Sequence, residues 1–336
     1  MRGDKFIIRP YRRGDEFAIN EMFNEVFHQN RQIEHWYWKY RDNPYGSYKI
    51  TLAFAPDGTL AAHYGGYPVR LFYYPDNGSY EEYTSLHLGD KMTRKRFRAV
   101  GFGRNSILAK TFRGFQDTFL RDVLFGYGFA AHHSLRFGLL FLGYVDVEPV
   151  PFKSASVDEL RTNLNKGLMS RFNILKTRQV ETVDERWSAF FFRVAQSYKF
   201  LTKRDEEYLR WRYFKRPDRS YIFLSVSMMG RLKGWSVFYR DGDRIIWGDA
   251  LFEPRDLNSV RSILSYLLKE PFSAGTRSIE GWFPSRPFWW EEVLSSLGFE
   301  NHQEPSNLHL ISPVNDGIAI SMLKDFYYTI GDSDLF

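Results

Sequence analysis

Residues 38–48 read WKYRDNPYGSY, and residues 211–221 read WRYFKRPDRSY. Identical residues recur between the two segments at one constant spacing of 173 residues, in the pairs Trp38 and Trp211, Tyr40 and Tyr213, Pro44 and Pro217, Ser47 and Ser220, and Tyr48 and Tyr221. Each segment then runs into an apolar, strand-like stretch. A fixed spacing over so many positions predicts that one structural unit occurs twice in the chain.

Two further landmarks recur in the same order in both halves. An alternating strand ends on a Gly-Asp step at 89–90 and again at 248–249. A Leu-Gly-aromatic step follows at 142–144 and at 297–299. A duplicated fold explains this shared order of landmarks better than chance.

The boundary between the two units is predicted within 148–180. Two prolines at 149 and 151 break regular structure there, and the stretch that follows is polar and turn-prone. We therefore expect a first domain at 1–150, a helical linker at 151–171 and a second domain at 172–336.

Within the first half, the hydrophobic pattern alternates between helical and strand periods. It predicts helices at 15–27, 103–120 and 132–141, and strands at 5–9, 49–55, 59–67, 69–75, 82–92, 123–129 and 143–150. This order is typical of a mixed α/β fold (the α+β class), in which helices cover a central mixed sheet in each domain.

Composition excludes several classes of site. The 336 residues include no cysteine, which excludes disulfides, thiolate metal sites and cysteine nucleophiles. The sequence offers no cluster of metal ligands, so no metal is expected. The N-terminus has no signal-peptide core, and charged residues interrupt the most apolar stretch, so we expect a cytoplasmic protein with no membrane partner. A net charge of +6 suits an anionic ligand, but the basic run 94–96 is too short to indicate nucleic acid.

The stretch between the strand ending near Met92 and the next helix carries the chemistry. It reads Arg-Ala-Val-Gly-Phe-Gly over 98–103. Glycines allow a tight turn in which several backbone N–H groups converge on one anion, and the following helix N-terminus adds unpaired donors. A plain strand-to-helix turn would also use glycine, but this one lies between the right elements for a pyrophosphate site.

With this turn, the first half resembles a GNAT N-acyltransferase domain, and the chain resembles a tandem member of that superfamily with a degenerate second copy. In that family a Gln/Arg-x-x-Gly-x-Gly/Ala turn holds the pyrophosphate of acetyl-CoA. The resemblance implies two tandem GNAT-like domains, each with a mixed, mostly antiparallel sheet. It also implies that the acetyl-CoA site comprises Met92, Thr93, Arg98, Ala99, Val100, Gly101, Phe102, Gly103, Arg104 and Asn105, with Lys91 beside the pantetheine arm.

The chain departs from the family pattern in two places: the residue that would protonate the departing thiolate, and the glycine turn of the second copy. Many members place a tyrosine before Leu-Gly-Phe that protonates the departing thiolate, and this chain has Leu139 there. The matching stretch of the second half has no glycine turn, and Glu253, Pro254 and Asp256 would repel or obstruct a pyrophosphate. We expect that copy to have lost its cofactor site.

Direct attack of an amine on a thioester needs a base near the strand that precedes the glycine turn. His87 is a candidate base because the second half has Ile246 at that position, although it could equally be a core histidine. Asp90 is the obvious carboxylate, but Asp249 matches it in the copy without the turn, which favours a structural role. His132 is a third candidate.

The signal for the remaining candidate residues is weaker, and each of them has an alternative interpretation without a role in chemistry. They are His133, Glu81 and Glu82 near the reaction centre, Trp36, Trp38, Trp282, Trp289 and Trp290 as an acceptor cleft, and Asp332 and Asp334 as partners for a cationic acceptor. Core packing of the tryptophans and a solvated tail are the default interpretations.

The leading hypothesis is an acyl-CoA-dependent N-acyltransferase, with acetyl-CoA as the donor and a small or sugar-like amine as the acceptor. One alternative is a Fem-type transferase that draws its acyl group from aminoacyl-tRNA, but the glycine turn favours coenzyme A. The other is a non-catalytic binding protein on the same fold, which the leucine at the tyrosine position supports.

Overall fold

The computed structural model describes residues 6–75, 78–165, 174–269 and 271–336. The first half contains β1 (Ile7–Pro10), α1 (Asp15–Phe27), α2 (Ile33–Trp36), β2 (Lys49–Phe54), β3 (Leu60–Tyr73), β4 (Glu81–Thr93), α3 (Ile107–Phe115), β5 (Gly126–Ala131), α4 (His132–Phe137) and β6 (Val145–Pro149). The chain continues through β7 (Phe152–Ser156), α5 (Val157–Asn165), β8 (Leu175–Gln179), α6 (Glu185–Val194), β9 (Phe200–Thr202), α7 (Glu206–Leu209), β10 (Ile222–Met228), β11 (Arg231–Asp241), β12 (Arg244–Phe252), α8 (Leu257–Leu267), β13 (Ser278–Gly281), α9 (Phe288–Leu297), β14 (Glu300–His302), β15 (Leu308–Ser312), α10 (Gly317–Leu323) and β16 (Phe326–Tyr327).

The repeated sequence segments have the same local structure. In the first half α2 continues into a π-helical turn at Tyr37–Arg41, and in the second half α7 continues into one at Arg210–Phe214. Each turn leads into a strand, β2 or β10. The two copies therefore share local structure as well as sequence.

Two mixed sheets with the same strand order form the framework, which confirms the predicted fold class. The first sheet runs β1-β2-β3-β4-β5-β15-β6, and the second runs β8-β10-β11-β12-β13-β7-β14. Most neighbours are antiparallel, whereas β4 with β5 and β12 with β13 are parallel. Along these two orders, each sheet thus has one parallel pair at the same point; outside them, the first sheet adds β9, which pairs with β3 and in parallel with β16.

Each sheet has, within its main strand order, one strand from the other half, and the first sheet also takes β9 and β16 from the second half. In the first sheet β15 lies between β5 and β6, although it comes from the second half of the sequence. In the second sheet β7 lies between β13 and β14. The residues predicted as a linker, 151–171, thus include β7 and α5. The division at 150 and 172 stays a prediction about sequence units, since each sheet contains a strand from the other half.

One strand is longer than predicted, because a proline does not interrupt it. The stretches 59–67 and 69–75 form the single strand β3, in which Pro68 pairs with Leu86 of β4. The carbonyl of Pro68 accepts a bond from Asn43 Nδ2 at 3.2 Å on the other side, between the ends of β2 and β9. No ladder partner there requires the N–H that proline lacks.

The largest hydrophobic core joins the halves. It packs side chains of the first sheet, such as Leu71 and Tyr127, against Trp211, Trp235 and Phe336 of the second half. Smaller clusters lie under α1 and α2 and beside α3. No helix among the described residues has both the length and the apolar character needed to cross a bilayer.

Candidate functional site: the opening between β4 and β5

The glycine turn between β4 and α3 has the geometry of an anion cradle. Gly101 and Gly103 have φ values of 72° and 56°, in the left-handed region that glycine tolerates. A Cβ at Gly101 would collide with the carbonyl of Asn105, and a Cβ at Gly103 would lie 3.0 Å from the ring of Phe141. Both positions therefore require glycine.

Backbone donors of this turn are available for a ligand. Val100 and Asn105 donate their N–H groups to Phe97 and Phe102, at 3.0 Å each. Within the described residues, no acceptor receives the N–H groups of Gly101 and Phe102. The adjoining start of α3 adds partial positive charge, so this turn fits a pyrophosphate.

The predicted coenzyme A residues divide between surface and core. Arg98, Ala99, Gly101, Phe102, Arg104 and Asn105 are exposed, and Val100 is half-buried. Phe102 is 87% exposed, which leaves its ring free to contact a ligand. Met92 instead packs its side chain in the core against α1 and α2, so only its backbone is available. That these residues bind coenzyme A stays a prediction.

Next to the turn, β4 and β5 separate. Their pairing is confined to Leu86 with Gly126 and His87 with Tyr127. Beyond this point β4 has a bulge, with Asp90 at a φ of 51°. The separation opens a cavity of about 680 Å³, lined by 88–91 of β4, 128–129 of β5, the α1–α2 region and residues 216–219 and 334–335 of the second half. A cavity of this size suits a small molecule.

Asp90 lines this cavity within a buried ion cluster. Its carboxylate accepts bonds from Arg31 Nη1 at 2.7 Å and Lys39 Nζ at 2.9 Å. Burial alone would raise the pKa of Asp90, but these two cations hold it well below its usual range. A carboxylate stabilised in this way is a poor proton acceptor.

The second half repeats this ion pair at Asp249, the residue that matches Asp90 in the sequence repeat. Arg204 lies 173 residues after Arg31, and its Nε donates to Asp249 at 2.9 Å. Asp332 takes a further bond from Arg204 at 2.5 Å, and all three side chains are fully buried. A pair present in both halves supports a structural role for Asp90.

His87 points away from the cavity, into the aromatic core. Its ring lies 4.8 Å from that of Tyr67 and 5.0 Å from that of Tyr127. Neither ring nitrogen has a hydrogen-bond partner among the described residues, and burial lowers the pKa of His87 to about 4. The predicted role as a base remains, but this placement gives it no support.

His132 lies outside the cavity as well. It is exposed at the start of α4, with a φ of 44°, in a separate surface depression that also contains Leu139. His133 is exposed beside it, and Glu81 and Glu82 lie at the far end of β4. The structure does not bring these candidates together with Asp90.

Two residues in the cavity carried little weight in the sequence interpretation. Asp334 reaches in from the C-terminal segment, where its Oδ2 accepts from Lys39 Nζ at 3.0 Å, and its side chain is 29% exposed. Lys91 lies on β4 directly after the bulge. Gly89 lies between them and leaves room for the ion pair, because a Cβ there would lie 2.7 Å from Asp334 Oδ2 and would displace that carboxylate. The signal for Asp334 was its acidic segment, and the signal for Lys91 was the family resemblance that places it beside the pantetheine arm.

The matching turn of the second half lacks an anion cradle. After β12, Asp256 accepts from the N–H of Ser259 at 3.1 Å, so its own carboxylate caps α8. Glu253 forms ion pairs with Lys233 and Arg193. The predicted tryptophan cleft is also absent, since Trp36, Trp38, Trp282, Trp289 and Trp290 are all buried in the described core.

Solved structures with the same architecture include proteins that are named N-acyltransferases. A conserved protein of Enterococcus faecalis V583, described as "Probable N-Acyltransferase", aligns with a TM-score of 0.66 at 9% identity over 92% of this chain and 72% of its own. A GCN5-related N-acetyltransferase from Kribbella flavida gives 0.61 at 9% identity, over 92% and 70% of the two chains.

A third solved structure widens this comparison. Saccharomyces cerevisiae N-myristoyltransferase with bound myristoyl-CoA gives a TM-score of 0.57 at 10% identity, over 92% of this chain and 82% of its own. No model of a protein family matches the sequence, and no curated protein is similar to it. The likeness therefore concerns the fold: this chain has the architecture of GCN5-related N-acetyltransferases and N-myristoyltransferase over nearly its whole length.

Proposed function

We propose that this protein is an N-acyltransferase that transfers the acyl group of an acyl-CoA, with acetyl-CoA as the simplest donor, to the amine of a small or sugar-like acceptor. One observation carries the proposal. A glycine turn with free N–H donors and a cavity of about 680 Å³ lie at the same end of one strand, β4, where it separates from β5.

The donor would lie along the opening. Its pyrophosphate would accept bonds from the turn around Gly101 and Gly103, and its thioester would lie beside 88–91 of β4. Backbone groups of β4 beyond His87 have no partner on β5, so they are free to hold the pantetheine arm and the thioester. The second half, without a glycine turn, would bind no acyl-CoA.

The acceptor would occupy the cavity next to the thioester. Phe23, Phe27 and Phe129 supply apolar faces there, and a sugar or an alkyl chain would pack against them. Asp334 is a partly exposed carboxylate in this space, next to 88–91 of β4, so an amine would donate a hydrogen bond to it. Binding both reactants at one point of the sheet places the amine for direct attack on the thioester.

A cytoplasmic location, without a membrane or nucleic-acid partner, is part of this proposal. The two alternatives make different predictions. An aminoacyl-tRNA-dependent enzyme should bind tRNA with an affinity that falls steeply with salt. A non-catalytic binding protein should bind coenzyme A without ever releasing thiol.

Thiol release from acetyl-CoA tests the proposal, with a screen of amino acids, polyamines and amino sugars as acceptors. We expect at least one amine to accelerate release by the wild type and Gly101→Glu to abolish the acceleration. Gly242→Glu is the matched control, since Gly242 also has a positive φ of 62° but faces open space in the second half. Binding without release for every amine would favour the non-catalytic alternative.

A further inference from the structure

The cavity contains cations that no carboxylate neutralises. Its charged lining comprises the cations Arg31, Lys39, Lys91, Arg216 and Arg219 and the carboxylates Asp90, Asp218 and Asp334. Arg31 and Lys39 share Asp90, Lys39 also pairs with Asp334, and Arg216 pairs with Asp218 at 2.9 Å. Among the described residues, Lys91 and Arg219 have no carboxylate partner. The cavity therefore has positive charge available for a ligand.

Of these two cations, Lys91 lies closer to the reaction centre. It follows the bulge of β4, is half-buried, and directs its Nζ to 5.1 Å from the ring centroid of Tyr144. No hydrogen-bond acceptor for this ammonium lies within the described part of the chain. The ammonium thus lies at the cavity with the face of Tyr144 beside it, so it is available to bond a ligand there.

We propose that Lys91 is the acid that protonates the sulfur of coenzyme A as the thioester breaks. This inference rests on the proposed function. It also accounts for Leu139, which leaves the helical position of the usual tyrosine acid without a proton. Lys91 lines the cavity itself from β4, whereas Leu139 lies in the separate depression beside His132.

Every proton and bond in this step is accounted for. The acceptor nitrogen forms a bond to the carbonyl carbon, the C–S bond breaks, and its electron pair leaves on sulfur. Lys91 gives its proton to that sulfur and becomes a neutral amine. The proton that the acceptor nitrogen loses then restores the ammonium, so no further reactant is needed.

The surroundings suit this role. Burial lowers the pKa of Lys91 to about 8, with the Asp334 carboxylate opposing the shift, and the thiol of a cysteine side chain ionises at about 8.5. An acid and a leaving group with similar pKa values exchange a proton efficiently. The ring of Tyr144 faces the Lys91 ammonium, and its hydroxyl bonds that of Tyr64 on β3. Burial raises the pKa of both tyrosines, so they stay neutral. Asp90, Lys39 and Arg31 form the neighbouring ion cluster.

Titration of the thiol of bound coenzyme A tests this inference without an acceptor. Calorimetry first measures coenzyme A binding to the wild type and to Lys91→Met, a variant of similar shape. The ultraviolet absorbance of the thiolate then gives the thiol pKa in each complex. We expect the wild type to lower that pKa by about one unit, a tenfold change in ionisation, and Lys91→Met to leave it at the value of free coenzyme A.

Two further variants sharpen the result. Arg219→Met removes the other unpaired cation and should leave the lowered thiol pKa intact. Lys91→Arg should also keep it, because the positive charge remains, but should slow acetyl transfer because a guanidinium does not release its proton. Equal thiol pKa values in wild type and Lys91→Met would overturn the role of Lys91 while coenzyme A binding stands. Absence of binding by the wild type would contradict both proposals.

Discussion

The indole Nε1 of Trp38 donates to the carbonyl of Trp211 at 2.7 Å, and the indole Nε1 of Trp211 donates to the carbonyl of Trp38 at 2.9 Å. Their rings stack with centroids 5.2 Å apart and an interplanar angle of 18°. These residues lead the two repeated segments of the sequence. The reciprocal bonds relate the halves by an approximate two-fold axis between the indoles, and this contact couples the halves.

The coupling predicts non-additive stability effects. Trp38→Phe and Trp211→Phe should each cost about 1–3 kcal/mol, because each leaves a buried carbonyl without its donor. The double variant should cost less than the sum, since the residues touch. Urea denaturation measures these values. Trp36→Phe is the control, because the buried Nε1 of Trp36 has no partner in the described chain. Strict additivity would contradict the coupling.

Strand exchange predicts that the first half does not fold alone. A fragment of residues 1–150 lacks β15, so β5 and β6 would face solvent with unpaired edges. We expect circular dichroism to show no cooperative unfolding for this fragment, and co-expression with 151–336 to restore it. Cooperative unfolding of 1–150 together with coenzyme A binding would contradict the exchange.

Because His87 is buried and neutral, the folded chain should lose stability in acid. Its pKa is about 4 in the folded chain, below the ordinary value of 6.5, so between these values the unfolded chain binds a proton that the folded chain does not. Stability should fall as pH decreases from 6.5 towards 4, by up to about 3 kcal/mol from this residue. His63, with its pKa also lowered to about 4, adds a similar contribution.

His87→Leu should reduce this pH dependence, because a buried imidazole without hydrogen bonds is exchanged for an apolar side chain. Denaturation midpoints at pH 5 and pH 7 would measure the change. Unaltered thiol release by the variant would exclude His87 as the base. Loss of release at unchanged stability would instead restore the catalytic role predicted from sequence.

If Asp334 binds the acceptor amine, its replacement should weaken the kinetics for the amine and not the binding of coenzyme A. Asp334→Asn should lower kcat/KM for the amine about tenfold, because the amine loses a charged hydrogen-bond partner, and should leave coenzyme A binding unchanged. Asp325→Asn is the control, since Asp325 pairs with Lys199 elsewhere. Normal amine kinetics in Asp334→Asn would exclude Asp334 from the acceptor site.

The sequence predicted much of the fold because its signals are local. The tryptophan segments identified the duplication, and α1 at Asp15–Phe27 lies where its pattern placed it. The glycine turn could be recognised from the sequence because the backbone geometry at Gly101 and Gly103 allows only glycine. Strand exchange was not predictable, since nothing in β15 specifies which sheet it joins.

The candidate site was harder to predict because its residues meet through distant contacts. Asp334 binds Lys39, which lies 295 residues away, and a polar tail is by default solvated. The sequence placed His87 on a strand, but it did not show that Tyr67 and Tyr127 cover its ring. Arg31 and Arg204 share the 173-residue spacing of the tryptophans, so extending the repeat towards the N-terminus would have found both.

Calorimetry with acetyl-CoA on the wild type, Gly103→Glu and Gly242→Glu tests the central claim most directly. Our account predicts one site per chain, lost in Gly103→Glu, which places a negative charge in the cradle, and kept in Gly242→Glu, which alters a turn of the second half. Absence of binding by the wild type, or equal binding by Gly103→Glu, would contradict an acyl-CoA site at the β4–α3 turn.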